Sequence, residues 1–142
     1  MERYDTIVVG SGPSGMMAAG TAASTGKRVL LLERNDRLGV KLSISGKGRC
    51  NITNTGDIDE FIKNYGIQGR FLYNCFHQFF NEDLIGFFKE LKVDTKVERG
   101  KRVFPVSDDA YTIVNALKKF LIKNGVKILF NKRAKEILIK NS

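Results

Sequence analysis

A chain of 142 residues, 42% hydrophobic, is the size of one domain with a respectable core, and its formal charge of +9 is spread thinly rather than gathered in a basic run. That pattern favours a solvated basic surface and leaves a nucleic-acid partner open. Two cysteines and one histidine supply neither a C-x-x-C pair nor a zinc spacing, so no metal site is expected, and the absence of an apolar leader or membrane-length run predicts a cytoplasmic protein with reduced thiols and no membrane partner.

Tyr4 to Val9 reads as the first strand, and its β-branched residues run into Gly10, Gly12 and Gly15 at G-x-G-x-x-G spacing. The three glycines carry separate tasks: a tight turn at Gly10, close backbone approach to a pyrophosphate at Gly12, and close packing of helix on sheet at Gly15. A small-residue helix from Ser14 to Thr25 follows, which would place an anion where unpaired N–H groups and the positive helix end converge. Arg28 to Glu33 reads as a buried parallel strand by the unbroken apolar run Val-Leu-Leu-Leu, and its last residue is an acid at the ~20-residue offset of a ribose-binding carboxylate. An acid there favours FAD or NAD over NADP.

From Arg34 to Asn54 the pattern gives way to a polar, glycine-bearing connection, expected to be ordered because Leu42, Ile44 and Ile52 alternate with polar residues. Short helices are predicted over 57–65 and 70–80, with an aromatic core stripe of Phe61, Phe71, Tyr73, Phe76, Phe79 and Phe80. Asn81 is the predicted cap of the next helix. Lys96 to Phe104 reads as a hairpin turning at Arg99-Gly100-Lys101. Ser107 then caps an amphipathic helix with Asp108 and Asp109 in its first turn, Val126 to Phe130 is a third parallel strand, and Lys135 to Lys140 begins another. The order implies an α/β Rossmann-like FAD/NAD(P)-binding three-layer domain with a parallel sheet, an enlarged helical insertion and a short antiparallel hairpin.

The loop Ser45-Gly-Lys-Gly-Arg-Cys-Asn-Ile-Thr-Asn54 joins glycines, a cation, a thiol and amides, a combination whose spacing alone names no reaction. Taken with Gly10 to Gly15, Glu33, Lys41 and the later Arg102-Val-Phe-Pro-Val-Ser-Asp-Asp-Ala110, it makes the chain resemble the BaiN-like (YhiN) family of bacterial NAD(P)/FAD-dependent oxidoreductases. The resemblance implies FAD as cofactor, NAD(P)H as electron donor and a small-molecule acceptor. It puts Gly10, Gly12 and Ser14 along the pyrophosphate, with Gly15 completing the cofactor-binding fingerprint, Glu33 on the adenosine ribose, Arg34 beside the adenine and the Ala134 backbone against it. Lys41, Ser45, Gly46, Arg49, Cys50 and Asn51 fall on the flavin side, with Lys47 where the family has a third glycine.

No residue is singled out as catalytic. Arg49 or Lys41 could lend positive charge to the flavin, Cys50 is read as packed rather than redox-active, and His77 as packed or surface. Members of the family are several hundred residues long, so residues 1–142 are expected to be the FAD-binding domain, inactive alone, without the substrate domain and the C-terminal segment that closes over the flavin. The runner-up is a flavoprotein that modifies or binds RNA, and the sequence is silent on oligomeric state.

Overall fold

The computed structural model describes residues 2–139, and the chain divides into two compact units. The first unit runs to Ile44 and resumes at Val114; the second is Ser45–Ile113.

In the first unit β1 (Thr6–Val9), β2 (Val29–Leu32) and β6 (Lys127–Leu129) form a parallel sheet with β2 in the middle, Val8 opposite Leu31 and Leu31 opposite Ile128. A central parallel strand is covered on both faces, which explains why Val29, Leu30 and Leu31 are all apolar and all buried. Helix α1 (Pro13–Ser24) opens with Pro at its start, where the missing N–H costs nothing, and buries Met16, Ala19, Gly20 and Ala23. Helix α6 (Ala110–Lys123) buries Ile113, Val114, Leu117 and Leu121 and leaves Lys118, Lys119 and Lys123 exposed, as its 3.6-residue periodicity predicts. The two helices meet where Gly20 lacks a side chain: a Cβ there would stand 2.1 Å from the Phe120 ring. Between β2 and the second unit lies the short α2 (Val40–Ile44).

The second unit holds an antiparallel sheet in the order β3-β5-β4, from β3 (Thr53–Asn54), β4 (Thr95–Glu98) and β5 (Arg102–Pro105). The hairpin is as expected, turning over Arg99 to Lys101. Its second strand proves central, and Pro105 is tolerated because β3 pairs only with Arg102 and Val103. Around it lie α3 (Ile58–Asn64), α4 (Tyr73–Gln78) and α5 (Asn81–Glu90). Asp57 and Glu60 form a reciprocal capping box on α3.

Several expectations are corrected. The connection after Arg34 is broken by α2, a 3₁₀-type turn over Ser45–Gly48, and β3, and Ile44 is exposed. The predicted helix over 70–80 begins only at Tyr73, after a 3₁₀ stretch over Gly66–Leu72. Of the aromatic stripe, Phe61, Phe76 and Phe80 pack edge to face or tilted at 4.8–5.6 Å, whereas Phe71 is 83% exposed and Tyr73 and Phe79 are exposed too. For Phe71 the 3₁₀ segment explains this, since its three-residue period moves that ring off the face that α-helical spacing would give it.

Phe80, not Asn81, holds the cap position of α5; its N–H donates to Asp83, while the Asn81 carboxamide is taken by the carbonyls of Asn54 and Gly56 at 2.8 Å each. Asp108 and Asp109 precede α6 instead of lying in its first turn, with Asp109 accepting from the Tyr111 N–H at 2.9 Å. Residues 135–139 form no strand, and Ile137, Leu138 and Ile139 are exposed: apolar character does not make a strand where no ladder partner stands among the described residues. Lys140, the predicted end of that strand, lies outside the described residues.

Candidate functional site

A cleft of about 490 Å³ opens where β1, β2 and β6 end, bounded by the Gly10–Pro13 turn, by Glu33 to Asn35, by Lys41 of α2 and by Lys132 to Ala134. The three fingerprint glycines differ there in a way that separates their roles. Gly10 has φ +99°, a conformation closed to side chains, and its N–H donates to the Leu32 carbonyl at 2.8 Å, which folds the turn back onto β2. A Cβ on Gly15 would lie 2.1 Å from the Gly10 carbonyl oxygen, so that glycine is needed by the protein's own packing. Gly12 is extended, with φ −66° and ψ 171°, and a Cβ on it would meet nothing within 4 Å. Neither strain nor internal contact accounts for a glycine at that place. It faces the cleft, and no side chain caps α1 there.

At the other side of the turn Glu33 is 5% exposed and its carboxylate is held from four directions. Oε2 accepts from the Ser11 N–H at 2.8 Å and the Ser11 hydroxyl at 2.5 Å, and Oε1 from the Asn35 N–H at 2.8 Å and Asn35 Nδ2 at 2.7 Å. Burial pushes this carboxyl upward, but the Ser11 hydroxyl, the two backbone N–H groups and the Asn35 amide outweigh it, leaving a pKa of about 2 against an ordinary 4.5. Glu33 is therefore ionised and stabilises the fold above the unfolded-state value; that stability is lost as pH falls from about 4.5 through 2. A drop of ~2.5 units corresponds to about 3 kcal/mol. Urea unfolding of the wild type should lose about 3 kcal/mol more between pH 5 and pH 2 than Glu33→Gln does. Parallel pH profiles for the two proteins would contradict the four-donor arrangement.

Arg34, Lys41 and Ala134 line this cleft with Gly10, Gly12 and Glu33, so six of the predicted residues come together. Ala134 is brought there by two tethers, Asn131 N–H to the Asn35 carbonyl at 3.1 Å and Lys132 N–H to the Glu33 carbonyl at 2.9 Å. Ser14 stands exposed in the first turn of α1, and neither it nor Gly15 lines the cleft wall. Ser11, Asn35, Lys132 and Arg133 belong to the wall and were not foreseen. A signal existed for the last two, because ligands in parallel sheets collect beyond the carboxyl ends of the strands, and both follow β6. For Ser11 the clue is weaker: a small polar residue between two fingerprint glycines.

Ser45, Gly46, Arg49, Cys50 and Asn51 lie in the second unit. Gly46 has φ +56°, and a Cβ there would fall 2.8 Å from the Asn51 nitrogen and 3.2 Å from the Phe104 ring. Lys47, at the family's glycine position, keeps the left-handed conformation with φ +58°. Ser45 accepts from the Cys50 N–H at 3.0 Å, and in the orientation that satisfies its neighbours the Asn51 amide donates to the carbonyls of Thr53 and Val103 at 3.0 and 3.1 Å. Arg49 is not a solvated cation: it makes a bidentate pair with Glu98 at 2.8 and 3.0 Å, reaches Asp108 at 3.1 Å and stacks 4.2 Å above Phe104. Its charge is thus matched within this unit. Cys50 is 1% exposed, and burial raises its thiol pKa, against a smaller lowering by Ser45, which agrees with a packing role. His77 is exposed, with its ring edge-on to Tyr73 at 4.5 Å.

Residues 4–142 match the HI0933-like protein Rossmann domain. The chain belongs to that family. It is 33% identical over 123 residues to a 3-dehydro-bile acid Δ(4,6)-reductase of Clostridium scindens, covering 85% of this chain and 29% of the relative. To a ribosomal RNA dihydrouridine synthase of Haemophilus influenzae it is 27% identical over 139 residues, 96% of this chain and 34% of the relative. The chain thus spans about a third of the length of these relatives. Among solved structures, the open conformation of a flavocytochrome c3 fumarate reductase superposes with a TM-score of 0.66 at 19% identity, over 96% of this chain and 28% of the other. The Rossmann-like fold with its added antiparallel sheet is that of this flavoprotein, and the family resemblance seen in the motifs holds.

Proposed function

We propose that this chain is the FAD-binding part of a flavin-dependent oxidoreductase whose flavin takes hydride from NAD(P)H and passes it to an acceptor. The observation that carries the reading is Gly12, a glycine with open space over it at the mouth of a cleft whose far side holds an ionised, buried carboxylate. The donor set fits an adenine dinucleotide: extended backbone and a helix start for the pyrophosphate, Glu33 for ribose hydroxyls, the chain at Ala134 for the adenine edge with Arg34 beside it, Lys41 toward the flavin, and Lys132 and Arg133 for the phosphate charge. When bound, FAD would supply the redox chemistry, and this chain's residues would hold and orient it. Ser14, beside the turn, and the loop from Ser45 to Asn51 are assigned to the same cofactor by family resemblance. Two free cysteines accord with the reducing cytoplasm in which we place the protein.

The acceptor is taken to be a small molecule, as the relation to a bile-acid reductase suggests. RNA as the acceptor is the second reading, favoured by the charge of +9 and by two relatives named as ribosomal RNA dihydrouridine synthases. Retention of RNA that weakens steeply with salt would favour the second.

The test of the cofactor is a flavin titration of the protein extended to the length of its relatives. Glu33→Ala should weaken FAD binding by up to about 3 kcal/mol, the full contribution of hydrogen bonds to a charged group, reduced by any protein donor that the ribose has to displace. An affinity unchanged by the substitution would remove Glu33 from the site.

A further inference from the structure

We infer that the Asn35 carboxamide is a place-holder, occupying on Glu33 the acceptor position that a ribose hydroxyl takes over when an adenine nucleotide enters the cleft; the inference rests on the dinucleotide reading of that cleft. An ionised carboxylate offers about four acceptor directions. All four are filled by the protein's own donors, two on each oxygen. A ligand hydroxyl therefore cannot simply be added to Glu33. It must replace a donor already there.

Three of the four cannot leave. The Ser11 N–H belongs to the turn after β1, and the Asn35 N–H to a backbone pinned by the bond from Asn131 N–H to the Asn35 carbonyl. The Ser11 hydroxyl sits on a residue 2% exposed, and the Gly39 N–H is shared between Ser11 O at 3.0 Å and Ser11 Oγ at 3.4 Å, which clamps the residue from its other side. The Asn35 carboxamide differs: it ends a half-buried side chain at the cleft wall, and rotation about its side-chain bonds can break its bond to Glu33 without moving the backbone. Exchanging it for a hydroxyl conserves the number of donors on the carboxylate, so the buried charge is never left bare. Its cost is that the hydroxyl gains only the difference between its own bond and the amide's.

Calorimetric titration of the 142-residue chain and its variants with ADP and with 2′,3′-dideoxy-ADP tests this. Asn35→Ala is expected to bind ADP about tenfold more tightly, the worth of one hydrogen bond to a charged group no longer displaced, and dideoxy-ADP unchanged. Ser11→Ala, which loosens a fixed donor, should lower the melting temperature with no gain in ADP affinity. In the wild type, the Asn35 side-chain amide resonances should move on adding ADP and stay on adding dideoxy-ADP, a readout that needs no variant to fold. Weaker ADP binding by Asn35→Ala, an equal change for both nucleotides, or equal amide shifts would overturn the place-holder alone. If the wild type binds neither nucleotide, the nucleotide reading of the cleft falls and takes the place-holder with it.

Discussion

Gly12→Val is expected to leave the protein folded and to lower its FAD affinity on the order of 100-fold. The φ and ψ of Gly12 are extended values that valine adopts readily, and a Cβ there meets no protein atom within 4 Å, so the expected stability loss is only about 1 kcal/mol, that of a β-branched residue at a helix cap. The isopropyl group would stand in the cleft where a pyrophosphate must reach backbone N–H groups. Losing two charge-assisted bonds of about 1.5 kcal/mol each lowers affinity on the order of 100-fold. Far-ultraviolet circular dichroism and flavin titration of the variant, made in the full-length context, check both halves. A variant that purifies yellow at normal stoichiometry would show that the fingerprint is not used.

Gly15→Ala acts first on stability and only through it on binding, although it alters the same motif by one methyl group. The added carbon would come 2.1 Å from the Gly10 carbonyl oxygen, a backbone atom that can retreat only by moving the turn. Overpacking of this kind costs about 3 kcal/mol or more, offset by about 1 kcal/mol from the better helix propensity of alanine. Urea unfolding should therefore show the variant about 2 kcal/mol less stable, with nucleotide binding lost as a consequence of the displaced turn. Wild-type stability would mean that α1 is free to slide on β1.

The contrast between these two glycines was legible in the sequence because each task in the fingerprint is local: strand, turn, helix and acid follow one another within 33 residues. The amphipathic stripe of α6 and the apolar run of β2 were legible for the same reason, since periodicity needs no knowledge of the partner. What escaped notice depends on partners far along the chain. β3 is two residues long and exists only because it pairs with β5 about fifty residues later. Asn81 has the chemistry of a helix cap, but the carbonyls of Asn54 and Gly56 take its amide. The ion partners of Arg49 were hidden as well, because Glu98 and Asp108 stand about fifty and sixty positions later. At Glu33 the acid was evident and the two donors from Ser11 were not, because Ser11 comes 22 positions earlier. The segment 135–139 errs in the other direction: its apolar pattern suits a strand, and pairing, which no pattern contains, decided otherwise.

The two cysteines, one exposed on α4 and one sealed behind the loop at Ser45, differ in more than reactivity. An alkylating reagent meets Cys75 directly in the native protein, so a single fluorophore can be attached there without mutation. Cys50 becomes reachable only when the loop around it opens, and its labelling rate, divided by that of a free thiol, gives the opening equilibrium of that loop. The chain thus carries, in one buried sulfur, a native clock for the motion of the Ser45–Asn51 segment, readable by mass spectrometry with Cys75 as its internal reference.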